Sequence, residues 1–331
     1  MSKTDDFRAA LACRPGARVP LWELEFHAWD AASGRHMVLG REFERLSAAH
    51  KETALRRNAE IILSVCAEMG FAAVTGPGAY WEQAPGDLAY YVLPDNYPER
   101  QIAVLREMAG DSVLLVANTG GVIAACYDLD FCERLYHAPE EVDALAQGTL
   151  AAGLARARRF RDAGSDVAMT ASDIADNTGL FFNPQQMDRF ILPYLEQWSD
   201  GVHAMGMFSL MHSDGNLTPY LERIAATTLD ALQSIDPVAG MDLLRSKEIV
   251  GDGLCLCGNV DCGLLITGAP EAIYTATADL LTRWGRRGGL VLGASNAVQR
   301  EVPLENYRAM VAAWKAWQST REPAKAHDHR S

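Results

Sequence analysis

Eight β-rich runs punctuate the chain at 19–26, 71–77, 112–120, 167–173, 208–215, 231–237, 253–261 and 290–296. Amphipathic segments fill the gaps, among them 41–68, 139–162, 184–205, 270–285 and 303–318. Pro184 suits a first helical turn, and APEA and PLEN open the last two segments. Strands alternating with helices predict a parallel sheet, and eight repeats is the number that closes a (β/α)8 TIM barrel. An open doubly wound sheet is the alternative. Its dinucleotide-binding version is disfavoured, because no G-x-G-x-x-G follows the first run. With 331 residues and 49% hydrophobic composition, one such barrel is large enough to hold the whole pattern. The expected division is an N-terminal arm at 1–18, a single barrel domain at 19–320 and a disordered tail at 321–331.

The runs share a second property, which bears on function. They begin apolar and finish polar: Glu23 and Glu25, Thr75, Asn118, Asp173, His212 and Asp214, Asp236, Asn259 and Asp261, Asn296. In a barrel the carboxyl ends of the strands carry the active site, so these side chains are expected to gather at one rim. Each has a plainer explanation as a loop or helix cap, and for Asp236 before Pro237 that explanation is preferred. His212 differs because it sits inside its run. His212 and Asp214, two apart on a strand, face one way and form a candidate metal or acid–base pair. Their plainer role is a hydrogen bond closing the strand. Glu23, Glu25 and His27 alternate along the first run and read equally as ligands or as a solvated strand end. Cys255 and Cys257 share a strand face with Cys262 beyond, but the spacing is not that of a zinc knuckle, so they read as buried apolar thiols. Trp22, Trp29, Tyr80 and Trp81 could wall a flat substrate or fill core.

Other classes are excluded more bluntly. A net charge of −13 with no basic run opposes nucleic-acid binding. No apolar run approaches the ~18 residues that span a membrane. The first residues, MSKTDDFRAALACRPGARVP, contain no apolar signal core. Seven irregularly spaced cysteines then read as reduced thiols, and the expected location is the cytoplasm.

Several segments, in order, resemble the uroporphyrinogen decarboxylase superfamily, which includes cobalamin-dependent methyltransferases. GSDVAMTASD is similar to its fourth strand, ending in Asp173; FNPQQMDRFILPYL to its following helix; and LMHSDGN to its "HxCG" or "HxDG" motif. IDPVAGMDLLRSKEIVGDGLCLCGNVD, GAPEAI and GLVLGASNAVQREVPLEN resemble its later signatures. The resemblance implies a TIM barrel, often dimeric.

The departures narrow the function. The decarboxylase's arginine-rich loop corresponds here to PLWELEFHAWDAASG, with Glu25 where the first arginine belongs. Glu23 and Glu25 at the mouth would repel a polycarboxylate substrate. The family's catalytic aspartate has no counterpart in FAAVTGP, and its late histidine aligns with Asn296. The methyltransferase branch implies zinc held by a histidine and two cysteines. Here His212 remains, while Asp214 and Asn296 replace the sulfurs. Without thiolates a soft site is poor, but carboxylates such as Glu25 or Asp173 could complete a harder one, zinc included. The implied activity is methyl transfer from a small methoxy, methylamine or similar donor to a corrinoid cofactor or corrinoid protein. Catalysis would fall to His212, Asp214 and Asp173. A metal would sit on His212, Asp214 and Glu25. Glu23, Glu25, His27, Asn118, Asn259, Asp261 and Asn296 would bind substrate or cofactor. The alternatives are a decarboxylase of a tetrapyrrole or other carboxylated substrate, and a non-catalytic corrinoid- or tetrapyrrole-binding barrel.

Overall fold

The computed structural model describes residues 2–16, 18–77, 93–94 and 96–320, with backbone alone at 82–84 and 87–88. Tyr80, Trp81 and the tail at 321–331 lie outside the described residues. Seven strands form one curled parallel sheet: β1 (Ala73–Thr75), β2 (Leu114–Asn118), β3 (Val167–Ala171), β4 (Phe208–His212), β5 (Ala231–Gln233), β6 (Cys255–Val260) and β7 (Leu290–Ala294), paired in chain order. The eighth position is held by the segment around Leu21, which bridges Phe71 on one side and Leu292 on the other, both parallel. Ala72 N donates to Leu21 O at 2.9 Å, and Trp22 N donates to Leu292 O at 3.0 Å. These bonds close the ring, so the fold is a TIM barrel in a single domain. The first run is therefore correct in place but not as a regular strand, since it pairs only through isolated bridges at Leu21 and Phe26.

Alternation along each strand sorts side chains between two cores. Val167, Met169, Leu210, Ala231, Cys255 and Val291 point into the barrel. Leu115, Ala168, Met211, Leu232, Leu256 and Leu292 point out, against the helices. Burial on both faces explains the near-continuous apolar runs. The helical layer includes α2 (Ala48–Met69), α3 (Tyr97–Ala109), α4 (Pro139–Ala163), α5 (Leu192–His203), α6 (Leu221–Ala225), α7 (Leu243–Val250), α8 (Pro270–Trp284) and α9 (Leu304–Ser319).

Two expected helices are interrupted for identifiable reasons. Ser47 caps α2 by accepting from His50 N, so the 41–68 pattern splits. In 184–205, Pro193 has no N–H to donate back to the preceding turn. The turn before it, Met187–Ile191, widens to a π-helix.

At the amino-terminal base, α1 (Lys3–Leu11) opens with a capping box between Ser2 and Asp5. Its Phe7, fully buried, meets Trp22 edge-on at 6.4 Å inside the barrel floor. Burying one such ring stabilises by roughly 1.5–3 kcal/mol. The residues read as an arm thus plug their own barrel.

Candidate functional site

The inward-facing column continues past the apolar layers. It places Asn118, His212, Gln233 and Asn259 at the carboxyl ends of β2, β4, β5 and β6, with Asp173 and Asp214 two residues beyond Ala171 and His212. Register brings the central group level, because Ala171 pairs with His212 and His212 pairs with Gln233.

His212 is the pivot. Its side chain is only 6% exposed. Nδ1 lies 2.5 Å from Oε1 of Gln233. The Gln233 amide nitrogen faces two carbonyls, Ala294 O and Ser295 O, at 3.3 Å each. That orientation leaves only an acceptor toward the ring, so Nδ1 carries the hydrogen and donates it. Nε2 is then the open nitrogen. It points between Asp173 Oδ1 at 3.6 Å and Asp214 Oδ1 at 3.8 Å, beyond hydrogen-bond length.

The carboxylates are held as tightly. Asp173 Oδ1 accepts from the Asp214 backbone N–H at 2.9 Å. Asn296 Nδ2 donates to Asp214 Oδ2 at 2.6 Å. Asp214 Oδ1 is buried and has no hydrogen-bond partner among the described residues. Ser234 is beside it, but its hydroxyl donates to Ser295 O at 2.5 Å. Burial pushes the Asp214 carboxyl above the usual range, His212 opposes that rise and Asp173's charge adds to it. Burial likewise raises Asp236, whose Oδ1 accepts from Val238 N in a tight turn.

One ligand atom each from Asp173, His212 and Asp214 lies within 4.8 Å of the others. Ligand atoms about 2.1 Å from a tetrahedral ion are separated by roughly 3.4 Å. The observed 3.6 and 3.8 Å separations are close to that value. A buried carboxylate oxygen without a partner and an imidazole whose far nitrogen is already anchored both fit a divalent cation. One nitrogen and two oxygens suit zinc or a harder ion better than a thiophilic one.

Other expected site residues separate from this group. Glu25 is not in the ligand cluster; its Oε2 meets His27 Nε2 at 2.7 Å instead. Of the expected set, His212 and Asp214 come together, and the third residue beside them is Asp173 rather than Glu25. Glu23 does not line the mouth. It turns outward to α9, where Tyr307 Oη donates to Oε1 and Ala294 N to Oε2, both at 2.8 Å. Full burial drives its pKa up to about 8. The expected repulsion between Glu23 and a polycarboxylate at the mouth therefore has no basis in its position. Asn118 caps its own turn through Gly120 N at 3.2 Å. Asn259 ties β6 to Ile235 O at 2.9 Å, and Asp261 caps the short helix Cys262–Thr267. Thr75 accepts from Trp22 Nε1 at 3.1 Å, inside the core. Cys255 and Cys257 are buried, free thiols.

Two contributors were not anticipated. Gln233 was hidden because its run was expected to end at Asp236; a polar residue inside ALQ, one strand from His212, was the available signal. The other is the wall of the cleft above the site. This cleft of about 470 Å³ runs from Asp173 and Asp214 to Tyr127, Asp176 and Thr178. Residues Ala175–Asp176 and Gly179–Leu180 form the small hairpin that bears Asp176. Among the described residues, no helix is long and apolar enough to cross a membrane.

Known proteins agree with this architecture. The profile of the uroporphyrinogen decarboxylase (URO-D) family matches residues 99–317. A uroporphyrinogen decarboxylase of Coxiella burnetii is 30% identical over 182 residues, covering 54% of this chain. The chain spans only about half, 48%, of that relative's length. A uroporphyrinogen decarboxylase of Vibrio cholerae is 25% identical over 94% of this chain and 96% of its own. A solved methyltransferase from Methanosarcina mazei superposes with a TM-score of 0.71 at 18% identity, covering 96% of this chain and 99% of the other, a likeness of fold. The chain belongs to the uroporphyrinogen decarboxylase (URO-D) family.

Proposed function

We propose that this barrel is a methyltransferase that takes a methyl group from a small methylated compound, bound in the cleft above His212, and delivers it to a corrinoid on a partner protein. The observation that carries the reading is the fixed imidazole: Gln233 holds Nδ1–H, so Nε2 is directed at Asp173 and Asp214, the two carboxylates that line the cleft. Asp173, His212 and Asp214 would hold a divalent cation, zinc being one that fits. Bound there, it would supply Lewis acidity to the oxygen or nitrogen that the methyl group leaves.

The chain's own share is positional. Asn296 and the Asp173–Asp214 N–H bond fix both carboxylates before substrate arrives. Such preorganisation removes reorganisation from the reaction step. The cleft volume suits a small donor. A corrinoid would therefore approach from the open side, and its carrier would exclude water by covering the mouth.

Decarboxylation of a carboxylated substrate has less support. The loops 119–128, 172–183, 213–219 and 234–242 contain no Lys, Arg or His to anchor an anion. The test is to mix the protein with reduced cobalamin and a panel of methoxy and methylamine donors, following loss of the Co(I) absorbance. At least one donor should be consumed. His212→Ala, with an unchanged circular dichroism spectrum, should be inactive; full activity in that variant refutes the proposal.

A further inference from the structure

The charge of the cleft says more about the donor than the reacting centre does. The four loops without cations contribute Asp128, Asp173, Asp176, Asp214, Asp236 and Asp242. Three of these carboxylates, from Asp173, Asp176 and Asp214, line the cleft itself. Arg156 comes near from α4 but spends its Nη1 on Thr119 O at 3.1 Å. A divalent cation on Asp173, His212 and Asp214 would balance two of the three charges and leave Asp176.

Asp176 is built to stay ionised. Its Oδ1 accepts from Thr178 Oγ1 at 2.6 Å and Thr178 N at 2.7 Å, and these bonds hold its carboxyl below the usual range. Its Oδ2 takes the Tyr127 hydroxyl at 3.0 Å. That bond stands Tyr127, 68% exposed, on the cleft wall, with its ring edge-on to Phe181 at 4.9 Å. Gly215, at φ +88°, lets the hairpin close against the site; a Cβ there would lie 2.6 Å from Asp176 N. Asn216 N donates to Asp176 O at 2.9 Å. The acidic wall thus abuts the residue after Asp214. Asp214, which lines the cleft, also keeps its buried Oδ1 without a hydrogen bond, and Nε2 of His212, in a side chain more than nine-tenths buried, points at that oxygen from 3.8 Å.

We infer that the methyl donor carries a positive charge, an ammonium centre, and that Asp176 and the face of Tyr127 hold that end while the methyl-bearing heteroatom reaches His212. This rests on the methyl-transfer reading but has its own readout. An anionic carboxylate pairs favourably with ammonium, and an exposed aromatic face adds cation–π attraction. Choline, its neutral isostere 3,3-dimethylbutan-1-ol and the anion 3,3-dimethylbutanoate are matched probes. Each is titrated calorimetrically into the protein as purified, at low ionic strength.

Choline should bind roughly tenfold more tightly than the alcohol, with the anion weakest, and the preference should shrink as salt is added. Asp176→Asn, which can still accept from Thr178, should bring choline down to the alcohol's affinity. Tyr127→Ala, in an exposed loop, should lose several-fold with the fold intact. Equal binding of choline and the alcohol, tightest binding of the anion, or native choline affinity in both variants would overturn the inference. Binding is read without a corrinoid, so failed methyl transfer leaves it standing, whereas turnover of neutral donors alone sinks only this inference.

Discussion

Replacing Gln233 by leucine isolates the part of the site that orients the histidine. Leucine nearly matches the volume of glutamine but offers no acceptor to His212 Nδ1, 2.5 Å away in the native protein. The buried N–H would lose its partner, at a cost of about 1–3 kcal/mol in stability. The imidazole would also be free to place its hydrogen on Nε2, the atom facing Asp173 and Asp214. Loss of a partner behind a ligating histidine lowers metal affinity by roughly 10–100-fold, or about 1.4–2.7 kcal/mol. The assay is calorimetric titration of metal-stripped protein with Zn²⁺ and Mn²⁺, native against Gln233→Leu, with thermal unfolding measured alongside. Weakened metal binding together with a lowered Tm is expected. Native metal affinity in a folded Gln233→Leu protein would refute the reasoning, because Gln233 would then not determine which nitrogen is presented.

Glu23→Gln reports on the outer core. Burial pushes the carboxyl from its ordinary 4.5 up to about 8 in the folded state, so the folded protein binds more protons between those limits and stability falls as pH rises through them. A rise of that size is an effect on the order of several kcal/mol. Denaturant melts should show a native protein that weakens from pH 5 to 8, and a glutamine variant whose profile is flatter; parallel profiles would discount the burial argument. Gly215→Ala should destabilise by more than about 1 kcal/mol, because the left-handed φ and the clash with Asp176 both oppose a Cβ. An unchanged melting temperature in that variant would mean that the hairpin does not need this close approach.

The barrel was legible because parity and alternation are properties of the sequence. Val167, Met169 and Asp173 share one face whatever the neighbours do, and so do Leu210, His212 and Asp214. Convergence of Asp173, His212, Asp214 and Asn296 followed from their common position at strand ends. Parity failed where the chain is not a strand. The first run is bridged only at Leu21 and Phe26, with a bend at Leu24, so Glu23 turns outward to Tyr307 while Glu25 pairs with His27. Gln233 was missed because strand β5 stops three residues before the Asp236 that marked its expected end. The base plug was missed although Ser2 and Asp5 spell a capping box, since a helix of nine residues shows little periodicity to read. Asp176 and Tyr127 come together through the fold of two loops, and no spacing in the sequence encodes that contact.

The central claim is that Asp173, His212 and Asp214 form one cation-binding centre at the carboxyl-terminal rim of the barrel. Titrating metal-stripped native protein with Zn²⁺ tests it most directly. The account predicts a single saturable site that disappears in His212→Ala and in Asp214→Asn. No binding in the native protein, or the same site surviving in both variants, would contradict it.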